Sequence, residues 1–395
     1  MKQMKLFDPI LQKLSKQKQL DKNIMQYVTC SMKPLSTVDD PYFIKIITDL
    51  NPELKTMSRR TLGRNIDKSY AETMQKLKTI LQNINHVSTT ADIWSTKHKS
   101  FMGVTAHWIS QDDLVRHSCV LACRRFKGSH TYDKVAEMLY DITSDFGLRH
   151  DQLISTITDN GSNFVKAFAE HGIKLNIGES TDDEADEESE DHDTQGASEE
   201  LSASFTIPDK DVITLPNHLR CASHTLNLLA TTDFMNAIKN SAVSRIHYPA
   251  LAKCTAIWNA SRRPKTSEVI VNVLSCSLTY PCPTRWNSLY DSILQLLKYK
   301  EHLASVNINL GLGPFKEVQL EYLEDYCTLM KPIAGAIDYL QNEKTCFYGQ
   351  LLPTLFSLRQ RLHVLQEKSL RHAAPLLKTM ENSLYRRFKH FLTFQ

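Results

Sequence analysis

The sequence predicts an α/β protein: a mixed five-stranded sheet with helices, preceded by a helical region and interrupted by a large all-helical insertion. Three observations carry that expectation. Apolar residues recur at helical spacing through residues 1–85, short β-prone runs take over at His86, and helical periodicity returns from Leu219 to the end. With 42% of 395 residues hydrophobic, the chain can bury one large core or two to three smaller ones. The pattern divides it into residues 1–85, 86–235 and 236–395.

In the first region Phe43, Ile44, Ile46, Ile47 and Leu50 mark one helix and Leu77, Ile80 and Leu81 another, with breaks at Pro34, Pro41 and Pro52. HVSTTADIW, SFMGVTAHWIS and LVRHSCVLACRRF then give three successive strands, the signature of an antiparallel meander. Val135, Met138, Leu139 and Ile142 define a helix that Gly147 ends. LISTIT (153–158) is a fourth strand, and DNGSNFVKAFAEHG opens with turn residues into a helix closed by Gly172. A fifth strand is expected at 211–215, and the segments beginning LRCASHTLNLLATTDF and RWNSLYDSILQLL are helical by period.

Net charge is only +3, yet the charges are segregated. Residues 1–100 hold 17 Lys and Arg against 9 Asp and Glu, a balance that suits contact with phosphates; residues 179–200 hold 12 acids and no Lys or Arg. The segment 178–205 has too few apolar residues to offset its ordering entropy and is expected to be a disordered loop. No apolar stretch resembles a membrane span or a signal peptide, which points to an intracellular protein without a membrane partner. Nine scattered cysteines show no disulfide framework.

Asp92 sits at the end of the first expected strand and Asp159 follows the fourth. If those strands are neighbours, their carboxylates stand side by side, as a two-metal phosphoryl-transfer site requires of its hard oxygen ligands. Taken singly, each Asp also suits a turn or a helix cap, and Asp159-Asn160-Gly161-Ser162 has turn chemistry in any case. It is the joint placement, within a strand and helix order like that of ribonuclease H, that raises the metal reading above the local one.

Around these acids the sequence resembles the hAT DNA transposases. STTADIWSTKHKSFMGVTAHWIS resembles the segment of the first catalytic acid, through Asp92, Trp94, Ser95 and His107, and TDNGSNFVKAF that of the second, through Asp159, Asn160, Ser162 and Asn163. LRCASHTLNLLA is similar to the family's Cys-x-x-His helix through Cys221 and His224, with Asn227 one turn on, and PTRWNSLYDSI to the Arg-Trp motif that opens the helical insertion, through Arg285 and Trp286. Residues 33–62 resemble the helical segment before the core, through Pro34, Leu35, Phe43, Pro52 and Arg59 among others.

The resemblance implies a ribonuclease-H-like core, nuclear localisation and DNA as partner, with Cys221, His224, Arg285 and Trp286 near the nucleic acid. It also implies association with a second copy or a related transposase-like protein, and no small-molecule substrate. Trp286 read locally is equally a core aromatic at a helix start. Cys-x-x-His alone does not make a tetrahedral zinc site, and the paired ligands of the family's BED finger have no counterpart before residue 33, where Cys30 stands alone. No zinc is therefore expected.

The family's third catalytic acid, a Glu after the insertion, and its dimerisation region would fall past Gln395. Glu321, Glu324, Glu343, Glu367 and Glu381 lie in no similar words. The expectation is a transposase-derived DNA-binding protein without catalysis and without cofactor. The alternative is a Mg²⁺-dependent transposase or nuclease in which Asp92 and Asp159 receive a third acid in cis or in trans.

Overall fold

A computed structural model describes residues 9–172, 213–283, 285–342, 346–367 and 370–392. Three N-terminal helices come first: α1 (Pro9–Cys30), α2 (Pro41–Leu50) and α3 (Arg59–Gln82). Local chemistry sets their starts. The Asp40 carboxylate accepts from the backbone N–H groups of Tyr42 and Phe43 with Pro41 at the first helical position, and the Ser58 hydroxyl accepts from Thr61 N–H. Ile24, Val28, Val38, Ile47, Met57 and Leu62 close a small core of their own.

The sheet has the order β3-β2-β1-β4-β5. Strands β1 (Val87–Thr96), β2 (Lys99–Ile109) and β3 (Arg116–Phe126) form the expected antiparallel meander. Then α4 (Tyr132–Asp145) crosses to β4 (Leu153–Thr158), which pairs parallel with β1. Helix α5 (Ser162–His171) precedes β5 (Asn217–Arg220), parallel to β4. The architecture is the expected α/β one, a mixed five-stranded sheet with helices and an RNase-H-like core.

Alternation along the strands decides which face is covered. Val87 and Ala91 of β1 and Met102, Val104 and Ala106 of β2 are buried with Val135, Leu139 and Ile142 of α4 and Phe164 and Phe168 of α5. Leu81, at the end of α3, joins the same core. Buried Gln152 fastens that junction, its amide donating to the carbonyls of Leu81 and Ile84. The other face carries polar residues, including a chain in which the Thr90 and Thr105 hydroxyls bond each other and Thr105 bonds His107 Nε2 at 2.8 Å.

Two expectations need correction. The fifth strand is at 217–220: of the expected 211–215, the described residues 213–215 form no strand, Leu215 making only an isolated bridge to Gly172, and pairing with β4 begins at Asn217. Residues 219 and 220 accordingly finish a strand rather than open a helix. The cause is a two-residue apolar alternation too short to distinguish from the helical period beside it. The acidic segment 178–205 lies outside the described residues.

From α6 (Ala222–Leu228) onward the chain is helical. A π-helical turn, Leu229–Asp233, leads to α7 (Phe234–Lys239), followed by α8 (Ser244–Ser261), α9 (Pro264–Leu274), α10 (Ser288–Lys298) and α11 (Lys300–Leu310). The 24-residue α12 (Glu317–Leu340) then runs through the middle of the body, with α13 (Leu351–Glu367), α14 (Ala374–Arg387) and short α15 (Lys389–Leu392) completing it. Trp258, Tyr322, Ile333 and Leu355 lie at its centre, each under 2% exposed. This core already includes Leu226 and Leu229, so the helical body begins about ten residues before the expected boundary at 236. Among the described residues no helix is long and apolar enough to cross a membrane.

Candidate functional site between β1 and β4

Parallel pairing sets the two acids together. Ser88 lies opposite Ser155, Thr89 opposite Thr156 and Thr90 opposite Ile157. The same offset carried two residues further brings Asp92 beside Asp159. Asp159 follows the end of β4, whereas Asp92 lies within β1, which stays paired with β2 as far as Thr96, so it does not end its strand as the sequence suggested. Asp159 is held by a turn, its Oδ1 accepting from Gly161 N–H at 3.1 Å. The turn chemistry expected of Asp159-Asn160-Gly161-Ser162 is therefore present.

Helix α6 is anchored against this pair. Cys221 caps it, and the Cys221 N–H donates to the Thr158 carbonyl at 2.8 Å, continuing the β4–β5 connection into the helix start. Asn160 Nδ2 reaches Thr225 Oγ1 at 3.4 Å. The Asn160 side-chain oxygen Oδ1 is buried without a hydrogen-bond partner among the described residues. Cys221 and His224 consequently sit within electrostatic range of both carboxylates.

The charges register the crowding. The Asp92 carboxyl is held above the usual carboxylate range, first by partial desolvation and then by repulsion from Asp159; the Ile93 N–H and His224 oppose the rise. His224 is pushed below the ordinary imidazole value by burial, with Asp159 opposing that fall and Arg387 reinforcing it. Burial raises the Cys221 thiol, and both carboxylates add to the effect. Next to the site His218, stacked on Phe168 with centroids 4.4 Å apart and hydrogen-bonded to Thr158, falls to about 4 because of burial and Arg220.

Arg285 and Trp286 stand apart, in the turn before α10. Arg285 is exposed, while Trp286 is partly buried against the helical core. The Asn287 beside it adopts φ 58° and donates to Ala334 O and Asp338 Oδ1, tying this turn to α12. The local account of Trp286 as a helix-start core aromatic therefore describes its packing.

Two residues at the site have no signal in the local sequence. Arg387 of α14 forms a bidentate pair with Asp233, Nε to Oδ2 at 2.6 Å and Nη2 to Oδ1 at 2.7 Å, which brings its charge to His224. Gly103 is Asp92's partner on β2, and a Cβ there would lie 2.8 Å from Cζ3 of Trp94. Only knowledge of the strand register could have identified it.

A two-ion phosphoryl-transfer site needs more oxygen ligands than two carboxylates supply. Among the described residues no three of His, Cys, Asp or Glu converge closely enough to hold a metal ion. Glu321 is tied to Arg371 and His372, Glu324 to Lys300 and Glu381 to Gln366, all within the helical body. Exposed Glu367 completes no such group, and Glu343 lies outside the described residues. The described residues do not by themselves fit a divalent-ion pair.

Residues 90–182, which include Asp92, Asp159, most of β1 and all of β2 to β4, match the ZBED1 RNase-like domain family. The chain is also similar to transposases and to a BED-type zinc finger protein. It is 27% identical over 272 residues to two Zea mays proteins described as the AC and AC9 transposases, matches covering 68% of this chain. It is also 20% identical over 382 residues, 89% of the chain, to the human zinc finger BED domain-containing protein 4. The matched parts make up 30%, 29% and 27% of those proteins, so the chain spans less than a third of each hAT or BED-type relative.

Proposed function

We propose that this hAT-related chain binds DNA in the nucleus and that its Asp92 and Asp159 are a remnant metal-binding pair that does not cut DNA unaided. The observation that carries this reading is the placement of the acids side by side at the neighbouring strands β1 and β4 of an RNase-like sheet with no third carboxylate beside them among the described residues. The positive excess of residues 1–100 supports phosphate contact. Pairing with a second copy or a related transposase-like protein belongs to the same reading. Sedimentation of the chain with and without DNA tests it.

A two-armed assay on the whole chain tests the rest. In the first arm, a fluorescent duplex should be bound with an affinity that falls steeply as salt rises. In the second, supercoiled plasmid with Mg²⁺ or Mn²⁺ should be nicked no faster by wild type than by Asp92→Asn. A missing ligand at such a site lowers rates by on the order of a hundredfold or more. Nicking that Asp92→Asn abolishes would instead establish the metal-dependent enzyme, with its third acid supplied in cis or in trans.

A further inference from the structure

Register across the meander places three residues in one row: Trp94 opposite Phe101, and Phe101 opposite Arg125. The neighbouring row is Asp92, Gly103 and Cys123. Both rows lie on the sheet face opposite the one that buries Met102 and Val104 against α4, so acid, aromatics and guanidinium share one surface. Trp94 stacks on Phe101 with centroids 6.0 Å apart and planes 22° off parallel, and its indole overlies Gly103, where a Cβ would collide with it. It is nonetheless 40% exposed. A large aromatic held from beneath and open above is a stacking platform.

Beyond this row the charge is of one sign. Lys97, His98, Lys99, Arg125 and Lys127 line an open depression where the β1–β2 turn meets the end of β3, and no carboxylate lines it. None of the four Lys and Arg side chains forms an ion pair among the described residues. Arg124, one residue from Arg125 and across from buried Met102, is by contrast neutralised by Asp145. Arg124 on the helix-covered side is thus paired, while Arg125 on the open side is left for an outside anion. At about 3.3 Å per residue the cationic turn lies about 15 Å along β1 from Asp92, within reach of a strand a few nucleotides long.

We infer that the open face from Asp92 across Trp94 and Phe101 to Arg125, Lys97, Lys99 and Lys127 is a binding track for single-stranded DNA, a base stacking on Trp94 and phosphates lying on the cations. The inference rests on the DNA-binding reading above and adds to it the strandedness of the ligand and the route it takes away from the acid pair. The aromatic selects an unpaired base, because a paired base presents no free face to stack on.

Fluorescence anisotropy of the whole chain with a labelled single-stranded oligonucleotide, titrated at several salt concentrations, tests this. Trp94→Ala should weaken binding about 5- to 100-fold, with Trp94→Phe recovering part of the loss. Arg125→Gln and the double variant Lys97→Gln/Lys99→Gln should each lower the slope of log affinity against log salt, by about 0.7 for each phosphate no longer neutralised. Arg124→Gln, of equal charge change, should bind as wild type. Unfolding midpoints for each variant separate weakened binding from weakened folding, and Trp94→Phe serves where Trp94→Ala fails to fold. If wild type binds single strands and both the Trp94 and Arg125 variants match it, or if Arg124→Gln is as damaging as Arg125→Gln, this inference falls while DNA binding stands. If wild type binds only duplex, the track again falls alone; if it binds no DNA, the function proposed above falls with it.

Discussion

Asp233 and Asp92 are chemically identical side chains that the two bodies of this protein treat in opposite ways. In the helical body Asp233 is almost fully buried, gripped by Arg387 through two hydrogen bonds, with Arg386 at 3.4 Å. Glu321 and Glu324 there likewise have cations, and the Asp325 carboxylate accepts from the backbone N–H groups of His372 and Ala373. In the sheet body Asp92 meets another carboxylate, and among the described residues neither forms an ion pair. The cations beside the acids of the helical body have no counterpart at Asp92 and Asp159 among the described residues, and the repulsion of this pair is a cost to the folded state when both are ionised.

The largest test of that contrast is Arg387→Met. It strands a buried carboxylate and should destabilise the chain by about 3 kcal/mol, visible as a lower urea midpoint. If the midpoint does not move, Asp233 is not held as described and the contrast dissolves.

Acid titration comes next. His247 is fully buried, its Nδ1 sharing a hydrogen bond with the Tyr322 hydroxyl at 2.6 Å, and burial lowers it to about 4. Above its ordinary value of 6.5 the ring is neutral folded or unfolded and contributes no pH dependence. Between 6.5 and about 4 only the unfolded chain takes up the proton, so stability falls with pH, at a slope approaching about 1.4 kcal/mol per pH unit. Unfolding midpoints followed from pH 7 to 4 should drop, and His247→Gln should flatten the decline.

Gly103→Ala should have a smaller effect. The new methyl displaces the Trp94 indole outward, costing about 1 kcal/mol, and the tryptophan emission should shift to the red. An unshifted spectrum would mean that the indole does not rest on β2.

The smallest effect has the opposite sign to the first. The raised Asp92 carboxyl means that the folded state binds its proton more readily than the unfolded chain does, so the associated stability is present at low pH and lost as pH rises through the raised value. At neutral pH the ionised pair is a net cost. Asp92→Asn should therefore stabilise the chain slightly, by about 0.5 kcal/mol or less for so exposed a group, with the gain vanishing in acid. Opposite signs for the loss of a partner at Asp233 and the loss of a charge at Asp92 would confirm that the two bodies use their carboxylates differently.

Much of the sheet was legible because its information is local. Alternation in SFMGVTAHWIS and the turn chemistry of DNGSN encode strands and a helix start within a few residues, and the acids stand within or just after recognisable strands. The fifth strand was misplaced because four residues carry too little periodicity to set against the helix that follows. Trp286 shows the limit of a motif: its neighbours in sequence are those of a DNA-contacting word, while its neighbours in space are those of a helical core.

The amino-acid sequence by itself determined the order of elements, the covered face of the sheet and the identity of the two acids, since each follows from periods of two or 3.6 residues and from side chains adjacent in the chain. Only the tertiary structure decided that Asp92 lies beside Asp159, that Arg387 reaches past Asp233 toward His224, and that Trp94, Phe101 and Arg125 form one row. Those relations depend on strand register and on interactions across as many as 163 residues, from His224 to Arg387, where no local preference operates. A shift of register by a single residue would send every one of the row's side chains to the opposite face.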